Sequence, residues 1–66
     1  MTIQENARFT VYRLASEYME NIDSIYLWDL AKMIKNAFNI GAISKPEVEM
    51  LGYNLSRLTF DEIMNA

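Results

Sequence analysis

The chain has 66 residues, too few for more than one domain, and its only large resource for folding is a hydrophobic fraction of 52%. It contains no Cys and no His, which excludes disulfides, thiolate and imidazole metal sites, and Ser–His or Cys–His catalysis. The net charge of −3 and pI near 4.6 disfavour nonspecific binding to nucleic acid or to an anionic membrane surface.

The periodicity is helical from end to end, and it predicts an all-α fold: a single domain, 1–66, built as a small bundle of three helices plus a short C-terminal fourth. Thr2 and Glu5 fit a capping box that opens a first helix over about 3–21. Ile3, Ala7, Val11, Leu14, Ala15, Tyr18 and Ile22 make its core face at three- and four-residue spacing. Asn21-Ile22-Asp23-Ser24 interrupts it. Asp23 or Ser24 is the expected N-cap of a second helix over about 24–39, whose core face is Leu27, Leu30, Ala31, Ile34, Ala37 and Phe38. Gly41 is the expected left-handed stop.

Ser44, Pro46 and Glu47 combine a capping box with a first-turn proline and open a third helix over about 45–57. Ile43 staples the turn against the second helix. Val48, Leu51, Leu55 and Leu58 face the core, and Gly52 on the same face permits close approach of a neighbour. Thr59 and Glu62 repeat the capping signature for a short fourth helix over about 60–65, with Phe60, Ile63 and Met64 apolar.

No chemistry-bearing motif survives this reading. Gly41 and Gly52 stand alone, so no phosphate-cradling loop is present, and no calcium-loop pattern occurs. Glu47 and Glu49 point about 200° apart on one helix and read as solvated helix-start acids. The expectation is a non-enzymatic protein with no cofactor, no metal and no small-molecule substrate. No apolar run is long enough to cross a membrane, and no secretory h-region precedes the first helix. Both suggest a soluble, cytoplasmic protein.

The informative residues are those the core faces leave over. On the first helix Phe9, Tyr12 and Met19 form, with Ser16, a second stripe more than about 100° from the first. On the second, Ile25 and Trp28 fall on the polar side beside Lys32. On the third, Met50, Tyr53 and Arg57 form an outward row. Aromatic residues, Met and Arg are enriched at the centres of protein interfaces. A domain this small also gains from extra burial. These eight residues are therefore the candidate interface. The expected function is that of a small oligomerising regulator or inhibitor, phage- or mobile-element-like in size. It would act on a protein partner, on itself as a homodimer, or on both.

The alternative lies in Ala37 to Ser44. An Ala four residues before a turn Gly, followed by Ile-Ser, resembles the middle of a DNA-binding helix-turn-helix, which would make the 37–57 hairpin a reader of DNA. Two features depart from that motif. The apolar residue after the turn falls one position late, at Val48. The supposed recognition helix also opens with Lys45 against Glu47 and Glu49. Lys32, Lys35, Lys45 and Arg57 would supply a weak basic patch.

Overall fold

A computed structural model describes all 66 residues as four helices: α1 Ile3–Glu20, α2 Leu27–Asn39, α3 Lys45–Ser56 and α4 Phe60–Met64. It contains no strand.

Three of the four helices start as the sequence dictates. Thr2, Ser44 and Thr59 are N-caps. Each accepts a hydrogen bond from the backbone N–H three residues on, while Glu5, Glu47 and Glu62 reach back to the cap N–H. The α2 stop is also as expected. Gly41 sits at φ +79°, its N–H donates to the Phe38 carbonyl, and the Ala42 N–H donates to the Ala37 carbonyl at 2.8 Å. That pair of bonds is a Schellman ending, and only a residue without Cβ takes the left-handed turn without cost.

The start of α2 differs from the expectation. Neither Asp23 nor Ser24 caps it; the helix begins at Leu27 behind Tyr26, which offers no side-chain cap. The polar residues make a turn instead. The Asn21 side-chain oxygen accepts from the Asp23 N–H at 3.0 Å, and the Asn21 carbonyl accepts from the Ser24 N–H. Ile25, in the bend after this turn, packs against the core.

α1 and α2 are antiparallel neighbours: Asn6, Ala7 and Thr10 share a shallow groove with Met33, Asn36, Ala37 and Ile40. α4 runs back along α2. Phe60 meets Phe38 edge-on with ring centroids 5.2 Å apart, and Lys35 donates to the Ala66 carbonyl at 2.8 Å. α1 contacts α2 and α3 but not α4.

The core is one cluster of twelve residues: Val11, Ala15, Leu30, Ala31, Ile34, Ala37, Ile43, Val48, Leu51, Leu55, Leu58 and Ile63. It contains no buried polar side chain. Two residues expected in it are outside. Ile3 and Ile22 are 77% and 68% exposed: Ile3 is the first residue of α1, and Ile22 lies past the end of α1 in the turn to α2. Phe38 is half-buried rather than buried.

α3 ends on Arg57, the one non-glycine residue with positive φ, at +52°. Leu58 then folds back, its N–H donating to the Gly52 carbonyl at 2.9 Å. A left-handed arginine costs about 1–2 kcal/mol. Arg57→Gly is therefore expected to stabilise the fold by about 0.5–1 kcal/mol after allowing for glycine's freer unfolded chain. Thermal unfolding reads this, and an unchanged or lower midpoint would mean that the exposed Arg57 side chain contributes something the backbone strain conceals.

Candidate functional site

The longest helix buries the least of itself. Of the eighteen residues of α1 only Val11 and Ala15 are buried, although Ala7, Leu14 and Tyr18 pack partly against the core. On a wheel of 3.6 residues per turn, Phe9, Tyr12, Ser16 and Met19 lie within about 80° of one another, centred about 100° away from Val11 and Ala15. Phe9 and Met19 are each 59% exposed, and Ser16 is exposed between them. Phe9 and Tyr12 are shared by two shallow depressions. One is completed by Met1, Glu5 and Arg8, the other by Arg13, Ser16, Glu17 and Glu20.

Tyr12 differs from its neighbours on the stripe. Its ring is half-buried, and its hydroxyl donates to Glu47 Oε2 on α3 at 2.6 Å. Arg8, one turn earlier, donates to the same oxygen and lies over the Tyr12 ring, 5.0 Å from its centre. The other oxygen, Oε1, accepts from the Ser44 N–H at 3.0 Å and the Ser44 hydroxyl at 3.1 Å. Glu47 is thus a junction between the first turn of α3 and α1, not the freely solvated helix-start acid expected from its spacing with Glu49. Its neighbours hold it in the charged form, at about 2 against an ordinary 4.5: first the Tyr12 hydroxyl, then the Ser44 backbone N–H. Burial, and then the carboxylate itself, push the Tyr12 hydroxyl above its ordinary value.

Because the folded value is depressed, Glu47's contribution to stability is present above about pH 4.5 and is lost as pH falls toward 2. The full shift converts to about 3 kcal/mol. The Glu47 side chain is 24% exposed, and solvent screening brings the expectation down to about 1–2 kcal/mol. Glu47→Gln should therefore cost about 1–2 kcal/mol near neutral pH and flatten the acid loss of stability. Urea titrations across that range test it: wild type and variant falling in parallel would rule out this role for Glu47.

The remaining candidates do not converge on one patch. Ile25 is half-buried against the core and precedes α2, which contradicts its outward placement. Trp28, 37% exposed, lines a depression with Asp61, Glu62, Asn65 and Ala66 beside α4. Met50 and Tyr53 are 45% and 64% exposed on α3 and line none of the surface depressions. The expected outward row Met50–Tyr53–Arg57 is broken, since α3 stops at Ser56 and Arg57 turns left-handed. The cations of the possible nucleic-acid patch are partly engaged: Lys35 with the Ala66 carbonyl, and Lys45 over the Phe60 ring at 5.0 Å.

One surface feature escaped the periodicity. Tyr18, Ile22, Ile25, Tyr26 and Leu27, with Asp23, line a largely apolar depression at the α1–α2 turn, with Ile22 and Tyr26 68% and 66% exposed. Its only signal is the apolar content of a segment whose polar residues marked it as a loop.

No family model, curated protein or solved structure matches this chain. No helix is long and apolar enough to cross a membrane.

Proposed function

We propose that this chain is a non-enzymatic interaction module, a small regulator or inhibitor that works by seating the outer face of α1 on protein. One observation carries the reading: Phe9 and Met19, each 59% exposed, stand on the same flank of the longest helix, beside the face that packs on the core. Burying what remains exposed of these two side chains yields about 1–2 kcal/mol each, which a twelve-residue core leaves to be gained. Arg8 and Arg13, each half-exposed, and the Glu17 carboxylate rim the stripe, the arrangement of a polar margin around an apolar centre.

The nucleic-acid reading has less support. The first turn of α3 offers Lys45 beside Glu47 and Glu49, and Lys45 already lies against Phe60.

The test is affinity capture from lysate of the natural host, with the double variant Phe9→Ser, Met19→Ser as comparison. Both positions are exposed, so helical content and the unfolding midpoint should stay close to wild type. Captured protein, including untagged copies of the chain itself, should be lost. Capture that survives the double substitution moves the site off α1, and Trp28 with Tyr53 then become the residues to replace.

A further inference from the structure

We infer that the depression at the α1–α2 turn receives a basic amphipathic segment of another protein, one carrying Lys or Arg beside Leu- or Ile-like side chains. This surface is separate from the α1 stripe and uses neither Phe9 nor Met19.

Its lining is apolar where the fold does not require it. Ile22 and Tyr26 stand exposed above a floor of half-buried Tyr18, Ile25 and Leu27. The turn is closed by Asn21, whose side chain and carbonyl accept from the Asp23 and Ser24 N–H groups, so the Ile22 side chain has no part in it. Tyr26 occupies the N-cap position of α2, where Ser, Thr, Asp or Asn would satisfy a free helix N–H. The other three helices each have such a cap within a capping box. α2 alone forgoes it, and an exposed aromatic ring takes the place. Single exposed apolar side chains are ordinary. Two of them over an apolar floor, one at a position where local stability favours a polar residue, mark a contact surface.

Charge defines the occupant. From Leu14 to Ala31 the chain holds four acids, Glu17, Glu20, Asp23 and Asp29, and no Lys or Arg. All six Lys and Arg lie elsewhere, with the other five acids, so the net charge of −3 arises wholly from this stretch. Glu17 is paired with Arg13, whereas Glu20, Asp23 and Asp29 are exposed and in no ion pair. Asp23 lines the depression, and Glu20 and Asp29 each lie two residues along the chain from its lining. An apolar floor rimmed by one sign of charge draws a partner of the opposite sign and repels one of its own. A second copy docking through the same depression would set these acids against themselves. Nucleic acid and anionic membrane surfaces are repelled for the same reason.

The full chain is titrated into three fluorescein-labelled peptides of one length: an amphipathic Leu/Lys peptide, its analogue with Glu for Lys, and its analogue with Ser for Leu. The Leu/Lys peptide is expected to bind, to bind less as salt is raised, and to move the amide resonances of Tyr18 to Leu27. Both analogues should bind several-fold more weakly. Ile22→Ser combined with Tyr26→Ser should weaken Leu/Lys binding by about tenfold or more. Both side chains are exposed, and serine at position 26 supplies the cap that α2 lacks, so the fold is retained. Asp23→Asn should weaken binding several-fold. Glu49→Gln removes the same charge from the exposed surface of α3 and should leave binding nearly unchanged. Equal losses from D23N and E49Q would show general charge attraction and overturn the site. No binding of the Leu/Lys peptide, or equal binding of either analogue, overturns the basic amphipathic partner. Amide shifts confined to Arg8–Ser16 put the peptide on the α1 stripe and overturn the turn as its site. Self-association abolished by I22S/Y26S makes a second copy the occupant and overturns the basic one.

Discussion

Replacing Ile63 by alanine is expected to cost about 2–4 kcal/mol, a large share of the roughly 3–10 kcal/mol that a domain of this length commands. Ile63 is the only buried residue of α4, and it is fully excluded from solvent. A five-residue helix has no stability of its own. Its position depends on Ile63, on the edge-on contact of Phe60 with Phe38 and on the Thr59 capping box. Loss of the Ile63 side chain leaves a cavity between α2, α3 and α4 that the short helix fills only by shifting. Equilibrium unfolding in urea measures the loss. A cost below about 1 kcal/mol would mean that α4 rests on its neighbours without contributing to the core.

The second large effect is expected at the surface that receives Ile63. Gly52→Ala should destabilise by about 1–3 kcal/mol, against the gain of about 1 kcal/mol that alanine brings to a helix interior. A Cβ at position 52 would stand 2.6 Å from Ile63 Cδ1 and 2.6 Å from the Leu58 carbonyl oxygen. The side-chain clash can be relieved by a rotamer change. The backbone clash cannot, because Leu58 is held there by its own N–H bond to the Gly52 carbonyl. Combining Gly52→Ala with Ile63→Val, which removes Cδ1, should therefore recover only a minor part of the loss. Full recovery in the double variant would show that the Leu58 carbonyl gives way and that the side chain was the obstacle.

Gly52 illustrates how much the chain discloses. Its place on the core face of α3 forecast a close approach, and the close approach exists. The capping boxes at Thr2, Ser44 and Thr59 and the stop at Gly41 were equally legible, because each is a bond between residues three to five apart. Phe9 and Met19 were legible as surplus once the core face was drawn, and they are exposed; what they bind is a proposal.

Features set by distant partners were not legible. The Arg8–Tyr12–Glu47 cluster spans 35 to 39 residues of sequence, and nothing local distinguishes Glu47 from an ordinary first-turn acid. Ile3 and Ile22 continue the apolar spacing of α1 yet stand in solvent, since periodicity reports neither that α1 stops at Glu20, before Ile22, nor how far its neighbours extend. Asp23 and Ser24 have the composition of a cap, but Asn21 claims the turn first and delays α2 to Leu27. Arg57 sits in a conformation that no arginine advertises.

The division of contacts between α1 and the rest also bears on how the molecule comes apart. α1 and α4 do not touch each other, and each packs separately on the α2–α3 pair, α1 through Val11, Ala15 and the Glu47 junction and α4 through Ile63. Either can therefore lift away while the remaining helices stay together. Amide exchange should show the two populations, with α1 protons exchanging through an opening smaller than complete unfolding and the α2 protons around Leu30 to Ile34 lasting longest. Equal protection across α1 and α2 would instead mean that the four helices open as one. A helix that detaches on its own, and that carries the proposed contact surface, ties recognition to an opening of the fold: whatever seats on Phe9 and Met19 would also close the molecule.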